Sequence, residues 1–243
     1  DTHFIKVDPT APTIVYHGND GGVYKSTDSG VTWTSLNVFP LSAAQYQSVS
    51  VHPLNSNYTI GGTQDNGTHM YTAAATWNRI DFGDGGYARI DQSATDTTTV
   101  TMYHTYFNQT NGLLGFGRVK TTACASEGQW SFKGIYGGTV DSTTAYCDGT
   151  VGDTFNGISI SDAVNFYAPI EVGPGSPNTV YFGSNKLYRS ADRGETMPAV
   201  SQTLTTIRTI GISPLNDDFR LVGLNAGSVY GTTTGSSTLT NFT

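Results

Sequence analysis

Apolar and polar residues alternate along this chain over runs of about four to eight residues, each run closed by Pro, Gly, Asn or Asp. Nowhere do apolar positions hold the three-to-four spacing of a helix. Such alternation predicts short half-buried strands. Four runs, at residues 3–9, 47–53, 168–174 and 209–214, share one ending, a Pro beside Asn, Ser or Thr. Each is followed by a second run (13–18, 58–62, 179–183, 220–224) and a third (22–26, 68–72, 186–190, 228–232). Between the second and fourth units lies a longer one. It starts at Gly86-Tyr87-Ala88-Arg89-Ile90-Asp91, continues through 100–105 and 113–119, and ends around Trp130. Repeats of about 35 to 45 residues with four strands each are propeller blades in size. The expected fold is an all-β propeller of about five four-stranded blades, either a closed five-blade ring or an arc of a larger one. Residues 1–243 are read as a single domain, essentially without helix.

Composition fits that reading. The chain has 29 Gly, 14 Tyr and 11 Phe, and only 13% of its residues are charged, as many short strands and tight turns require. Its net charge is −7, and the 12 Lys and Arg residues are scattered singly. A nucleic-acid binder gathers its cations into a patch, so that partner is disfavoured. No apolar run approaches the roughly 20 residues of a membrane-spanning helix. The chain begins at Asp1, and a preceding segment is expected to have been removed or to lie outside it.

Residues 26–33 read Ser-Thr-Asp-Ser-Gly-Val-Thr-Trp. Asp28 can accept hydrogen bonds from backbone N–H groups of its own turn, Gly30 supplies a positive φ, and the Trp33 ring covers the turn. A turn whose polar groups are consumed internally is a structural plug. The octapeptide resembles the Asp-box of sialidases, sortilin-type receptors, xyloglucan-active glycoside hydrolases and many secreted bacterial repeat proteins. There it joins the outer strands of a propeller blade. Ser26, Asp28, Gly30, Thr32 and Trp33 take the motif positions, and a second copy keeps Ser190, Asp192, Gly194 and Thr196 but has Met197 in place of Trp. The second blade keeps only Thr76-Trp77, and the fifth has Gly235-Ser-Ser-Thr. The resemblance extends to His17-Gly-Asn-Asp-Gly-Gly-Val-Tyr, Ile60-Gly-Gly-Thr-Gln-Asp-Asn-Gly and Phe82-Gly-Asp-Gly-Gly-Tyr. It covers most of residues 1–105 and, loosely, 166–232.

Residues 120–165 resemble no family and are expected to form an insertion between blades three and four. Cys124 and Cys147 flank its Gly/Ser/Thr-rich part without metal-type spacing to any His. A disulfide closing that loop contributes roughly 3 kcal/mol by chain entropy and suits an exported protein. Two buried free thiols are the alternative. The expected location is secreted or cell-surface.

In a propeller, turns between second and third strands and links between blades emerge on one face. Asn19, Asp20, Gln64, Asp65, Asn66 and Asp84 occupy such positions, with Tyr46, Tyr87 and Tyr106 nearby. Amides and carboxylates beside flat rings suit sugar hydroxyls, and the same oxygens suit Ca²⁺ as a cofactor. Asn, Asp and Gly also form tight turns for backbone reasons alone. No His-x-His or His-Glu-x-x-His spacing supports zinc. The preferred reading is a non-catalytic extracellular module that binds polysaccharide, glycoprotein or other protein subunits, with self-assembly into an oligomer or polymer as one form. The competing class is a glycoside hydrolase with Asp20, Asp65 and Asp84 as candidate acids. Sialidase chemistry is disfavoured, because the arginines that would grip a substrate carboxylate largely fall within strand patterns.

Overall fold

Each predicted run pairs with its successor through a tight antiparallel hairpin, so the sheets form in chain order. The computed structural model describes residues 2–19, 22–36, 45–73, 76–136, 143–152 and 155–243. The unit Asp1–Gln45 holds one sheet and Tyr46–Thr243 the other four. In the first, β1 (Thr2–Asp8), β2 (Ala11–Asn19), β3 (Gly22–Ser26) and β4 (Thr34–Ser35) pair in that order.

The second unit begins with β5 (Tyr46–His52), β6 (Asn55–Thr63), β7 (Gly67–Thr72) and β8 (Trp77–Asp81). The third sheet is β9 (Ala88–Ile90), β10 (Met102–His104), β11 (Leu113–Val119) and β12 (Ser131–Tyr136). The fourth has β13 (Ile170–Val172), β14 (Val180–Gly183) and β15 (Leu187–Ser190), extended by a single bridge between Tyr188 and Ala199. The fifth is β16 (Ile207–Ile212), β17 (Arg220–Leu224), β18 (Val229–Thr232) and β19 (Thr240–Asn241). Five successive antiparallel sheets of this order are the blades of a β-propeller. Among the described residues the helical content is one 3₁₀ turn, Thr122–Cys124, and no helix is long and apolar enough to cross a membrane.

Within the second unit the inner strands β5, β9, β13 and β16 lie side by side in chain order. Three apolar layers fill the spaces between the four blades. Tyr58, Ile60 and Ile80 meet Ile90, Met102 and Val119, and Tyr103, Leu114 and Phe116 meet Ile170, Val180 and Phe182. Tyr181 and Leu187 meet Ile207, Val222 and Leu224. Neighbours in sequence serve opposite layers, Met102 against Tyr103 and Tyr181 against Phe182, which is the two-residue period of a strand buried on both faces. Each such side chain contributes about 1.5–3 kcal/mol on burial.

The end of the third blade differs from the expectation. The sequence reading stopped it around Trp130, whereas β12 continues to Tyr136 as its outer strand. Gly115 and Gly134 pair across β11 and β12 with φ of 149° and 140°, and a Cβ on either would strike the other strand's backbone at 2.1–2.2 Å. Two glycines facing each other let the strands approach closely, and they also erase the apolar alternation that marks a strand.

Two turns of the same wiring close outer strands. In 26–33, Ser26 Oγ–H donates to Asp28 Oδ1 at 2.7 Å, and the N–H groups of Asp28 and Gly30 donate to Ser26 Oγ at 3.2 and 2.8 Å. Thr32 donates its N–H to Asp28 Oδ1 at 2.8 Å and its hydroxyl to Oδ2 at 2.6 Å. In 190–197 the same five bonds measure 2.6, 3.1, 2.8, 2.9 and 2.7 Å. Ser29 and Gly30 have φ of 60° and 92°, and Arg193 and Gly194 have 61° and 86°. The fifth blade keeps half of this wiring, since Thr232 Oγ1 accepts from Thr234 and Ser236 N–H at 3.1 and 3.2 Å, with Thr234 in the carboxylate's place.

Candidate functional site

The site grows from the way β8 hands over to β9. Gly67 has φ of 84°, and a Cβ there would lie 2.1 Å from the Asp81 carbonyl. A Cβ on Gly62 would lie 2.1 Å from the Gly86 carbonyl, and Gly85 N–H donates to Thr63 O at 2.9 Å. Glycines on both partners therefore let the 82–87 link run against the β6–β7 hairpin. That contact brings Asp84 to the 64–66 turn, where Asp65 N–H donates to Asp84 Oδ1 at 2.9 Å. Asp65 holds φ of 62°, a conformation Asp tolerates better than most residues.

Asp81, at the end of β8, is fully buried. Its Oδ2 lies 3.0 Å from His104 Nε2 and accepts the Tyr106 hydroxyl, while Oδ1 accepts Phe82 N–H at 3.0 Å. His104 Nδ1 meets Thr68 Oγ1 at 3.0 Å. Burial pushes the Asp81 carboxyl up, but the His104 hydrogen bond and charge, the Tyr106 hydroxyl and the Phe82 N–H together hold it below the ordinary value. The His104 ring packs edge-on against Tyr106 and Trp130, each at 4.4 Å between centroids. His104 is thus a wired interior residue of the third blade.

Above this pair opens a cavity of about 300 Å³. Asp81, Phe82, Gly83 and Asp84 form one side, Tyr106 and Phe107 the second, and Trp130, Phe132 and Tyr136 the third. Thr144 and Tyr146 complete it from the segment joined by the Cys124–Cys147 disulfide. The lining is aromatic with a few placed polar groups, the usual make-up of a small-ligand pocket. Phe82 and Tyr136 are more than half exposed and form its rim.

The candidates singled out from sequence part company here. Asp84 and Tyr106 line the cavity, and Asp65 adjoins it through Asp84. Gln64 and Asn66 are exposed in the same turn, where Asn66 Nδ2 donates to Gln64 O at 3.0 Å. Tyr46 instead lies over Gly61 on the β5–β8 sheet, its ring 5.0 Å from that of Trp77. Tyr87 sits beneath the Arg89 guanidinium and donates to Arg208 O at 3.3 Å. Asn19 ends β2 opposite Gly22, and Asp20 lies outside the described residues. Sequence reasoning missed the wall of Trp130, Phe132 and Tyr136. All three fall on one parity of residues 130–136, so reading a strand there would have placed them on one face.

Further titratable groups surround this site. Burial, with Asp84 and Asp65 adding to it, pushes the Tyr167 phenol up to about 12. Deeper in the third blade, fully buried Arg118 donates to Glu195 Oε1 at 2.6 Å and lies 3.4 Å from Asp148, and buried Lys133 donates to Glu195 Oε2 at 2.8 Å. Among the described residues no three His, Cys, Asp or Glu side chains gather as a metal group.

No protein-family model matches the chain, and no curated protein matches it. Solved structures do resemble it. An ancestral GH74 enzyme superposes over 99% of this chain and 31% of its own with a TM-score of 0.58 and 17% identity. The GH74 xyloglucanase from Xanthomonas campestris covers 98% of this chain and 31% of its own, with a TM-score of 0.52 and 15% identity. The extracellular domain of a B. thetaiotaomicron protein assigned to the one-component systems covers 99% of this chain and 27% of its own, with a TM-score of 0.54 and 11% identity. The chain thus spans about a third or less of these relatives' lengths. At such identities the likeness shows the fold, a β-propeller.

Proposed function

We propose that this chain is a non-catalytic, extracellular propeller module of the Asp-box type that binds glycan in the third-blade cavity. The observation that carries the reading is the cavity itself: a lining rich in aromatic residues together with a carboxylate held by the Asp65 N–H. Aromatic rings can cover the apolar face of a sugar ring, while Asp84 can bond to its hydroxyl groups. The disulfide that supports the Tyr146 wall belongs to an oxidising compartment, which supports an extracellular location.

The hydrolase reading draws on the neighbours that are GH74 enzymes and on the adjacency of Asp65 and Asp84. A general acid must carry a proton at working pH. Asp81, the second carboxyl group of the cavity, accepts the Phe82 N–H and the Tyr106 hydroxyl and lies beside His104, which favours its ionised form and speaks against that part. Calorimetric titration with a panel of oligosaccharides, paired with a reducing-end assay, tests both readings. Binding without turnover, weakened at least about tenfold in Phe82→Ala, is the expected result. Release of reducing ends that stops in Asp84→Asn would make the chain a hydrolase, and absence of any binding would remove the cavity as a glycan site.

A further inference from the structure

The cavity is apolar in its walls but one-signed in its charge. Among the described residues, Asp81 and Asp84 line it and no Lys, Arg or His does. His104 stands behind Asp81 rather than in the lining, so among the described residues the lining offers Asp84 no cationic partner. Asp65 N–H donates to Asp84 Oδ1 at 2.9 Å, which fixes the carboxylate in the lining. The raised Tyr167 phenol reports the same local negative potential from Asp84 and Asp65. Trp130, Tyr106 and Phe132 add ring faces, which attract cations through their quadrupoles, most strongly when the cation is desolvated. The whole chain, at −7, biases encounter in the same direction.

We infer that the cavity selects sugars carrying a free ammonium group, the ring stacked on the aromatic wall and the amine placed between that wall and Asp84. This rests on the glycan reading above and narrows it to cationic hexosamine residues. A neutral sugar would leave the Asp84 charge uncompensated, and an acidic sugar would be repelled by it. An N-acetylated sugar would keep the stacking and lose the ion pair.

The test is calorimetric titration of the full chain with three oligosaccharides of equal length: de-N-acetylated chitosan, its N-acetylated counterpart and a cello-oligosaccharide, below the pKa of the amine. The cationic oligosaccharide is expected to bind at least about tenfold tighter than the other two, and high salt should shrink that preference on the intact protein. In Asp84→Asn the preference should fall below about twofold while neutral binding persists; Asp96→Asn, an exposed carboxylate outside the cavity, should keep it. Should Asp84→Asn fail to fold, salt dependence on the native chain still decides. Equal affinity for all three, or a preference that survives salt or follows Asp96 instead of Asp84, overturns the inference and leaves the glycan reading standing. Binding of none of the three overturns both.

Discussion

The turns at 26–33 and 190–197 agree in all five internal hydrogen bonds to within a tenth of an ångström, yet they live in different surroundings. The first lies on the surface: Val31 is 80% exposed, and Trp33 covers Gly30 with its Nε1–H on the Gly30 carbonyl at 3.0 Å. The second keeps Ala191, Asp192, Arg193 and Thr196 exposed but packs Gly194 and Met197 against the interior of its unit. Met197 is fully buried beside Ile158 and Phe182, and Glu195, at the position of Val31, receives the buried Arg118 and Lys133. The wiring is therefore autonomous, and the positions that do not take part in it are free to be recruited. Met stands where the motif calls for Trp because the site is a filled core, where a flexible thioether fits and an indole would not.

Three perturbations separate wiring from surroundings. The largest effect is expected from Glu195→Gln, which leaves Arg118 and Lys133 without their shared carboxylate. A loss of about 3 kcal/mol follows, toward the low end of the buried-pair range because Glu195 itself is partly exposed. Val31→Gln at the matching position should stay within about 0.5 kcal/mol. Denaturant unfolding compares the two, and equal losses would mean that the turn, not its setting, carries the energy.

Gly194→Ala comes next. Both glycines have positive φ, so each Ala costs roughly 1 kcal/mol of backbone strain. A Cβ at Gly194 would also lie 2.7 Å from Phe116 Cζ, whereas at Gly30 the nearest atom is Trp33 Cζ2 at 3.6 Å. Overpacking adds about 1–3 kcal/mol to the first alone, so thermal unfolding should separate the variants.

The smallest effect is a titration. Hydrogen bonds from the Thr32 hydroxyl and N–H, then from Ser26, lower the Asp28 carboxyl from 3.8 to about 2. A depressed folded-state value means the turn is stabilised above pH about 4 and loses that stabilisation as pH falls through about 2. Asp192 is also lowered, although burial pulls against its hydrogen bonds. Protection factors of the Gly30 and Thr32 amides, with intrinsic exchange at each pH divided out, should fall over that acid window in wild type and stay flat in Asp28→Asn.

How much was legible follows from the same separation of local from distant causes. The runs at 22–26, 113–119 and 220–224 coincide with β3, β11 and β17, because a two-residue period closed by turn formers needs nothing beyond its own segment. Outer strands β4 and β19 are two residues long and carry no period to read. Asp84 and Tyr106 could be named as turn residues near one face. Their meeting with Trp130 and Phe132 could not, since β12 had not been read as a strand and the Asp81–His104 contact joins residues 23 apart in sequence. The pairing of Glu195 with Arg118 and Lys133 was not legible either, because nothing near that turn in sequence announces them.

The bridge between Cys124 and Cys147 has one more consequence. Tyr146, beside it, forms one wall of the cavity, and Asp148, on its other side, faces Arg118. On the proposed glycan reading, occupancy and reduction would be two readouts of a single clasp: a sugar seated on Tyr146 would slow attack by a thiol reagent, and by thermodynamic reciprocity an opened clasp would loosen its hold on the sugar.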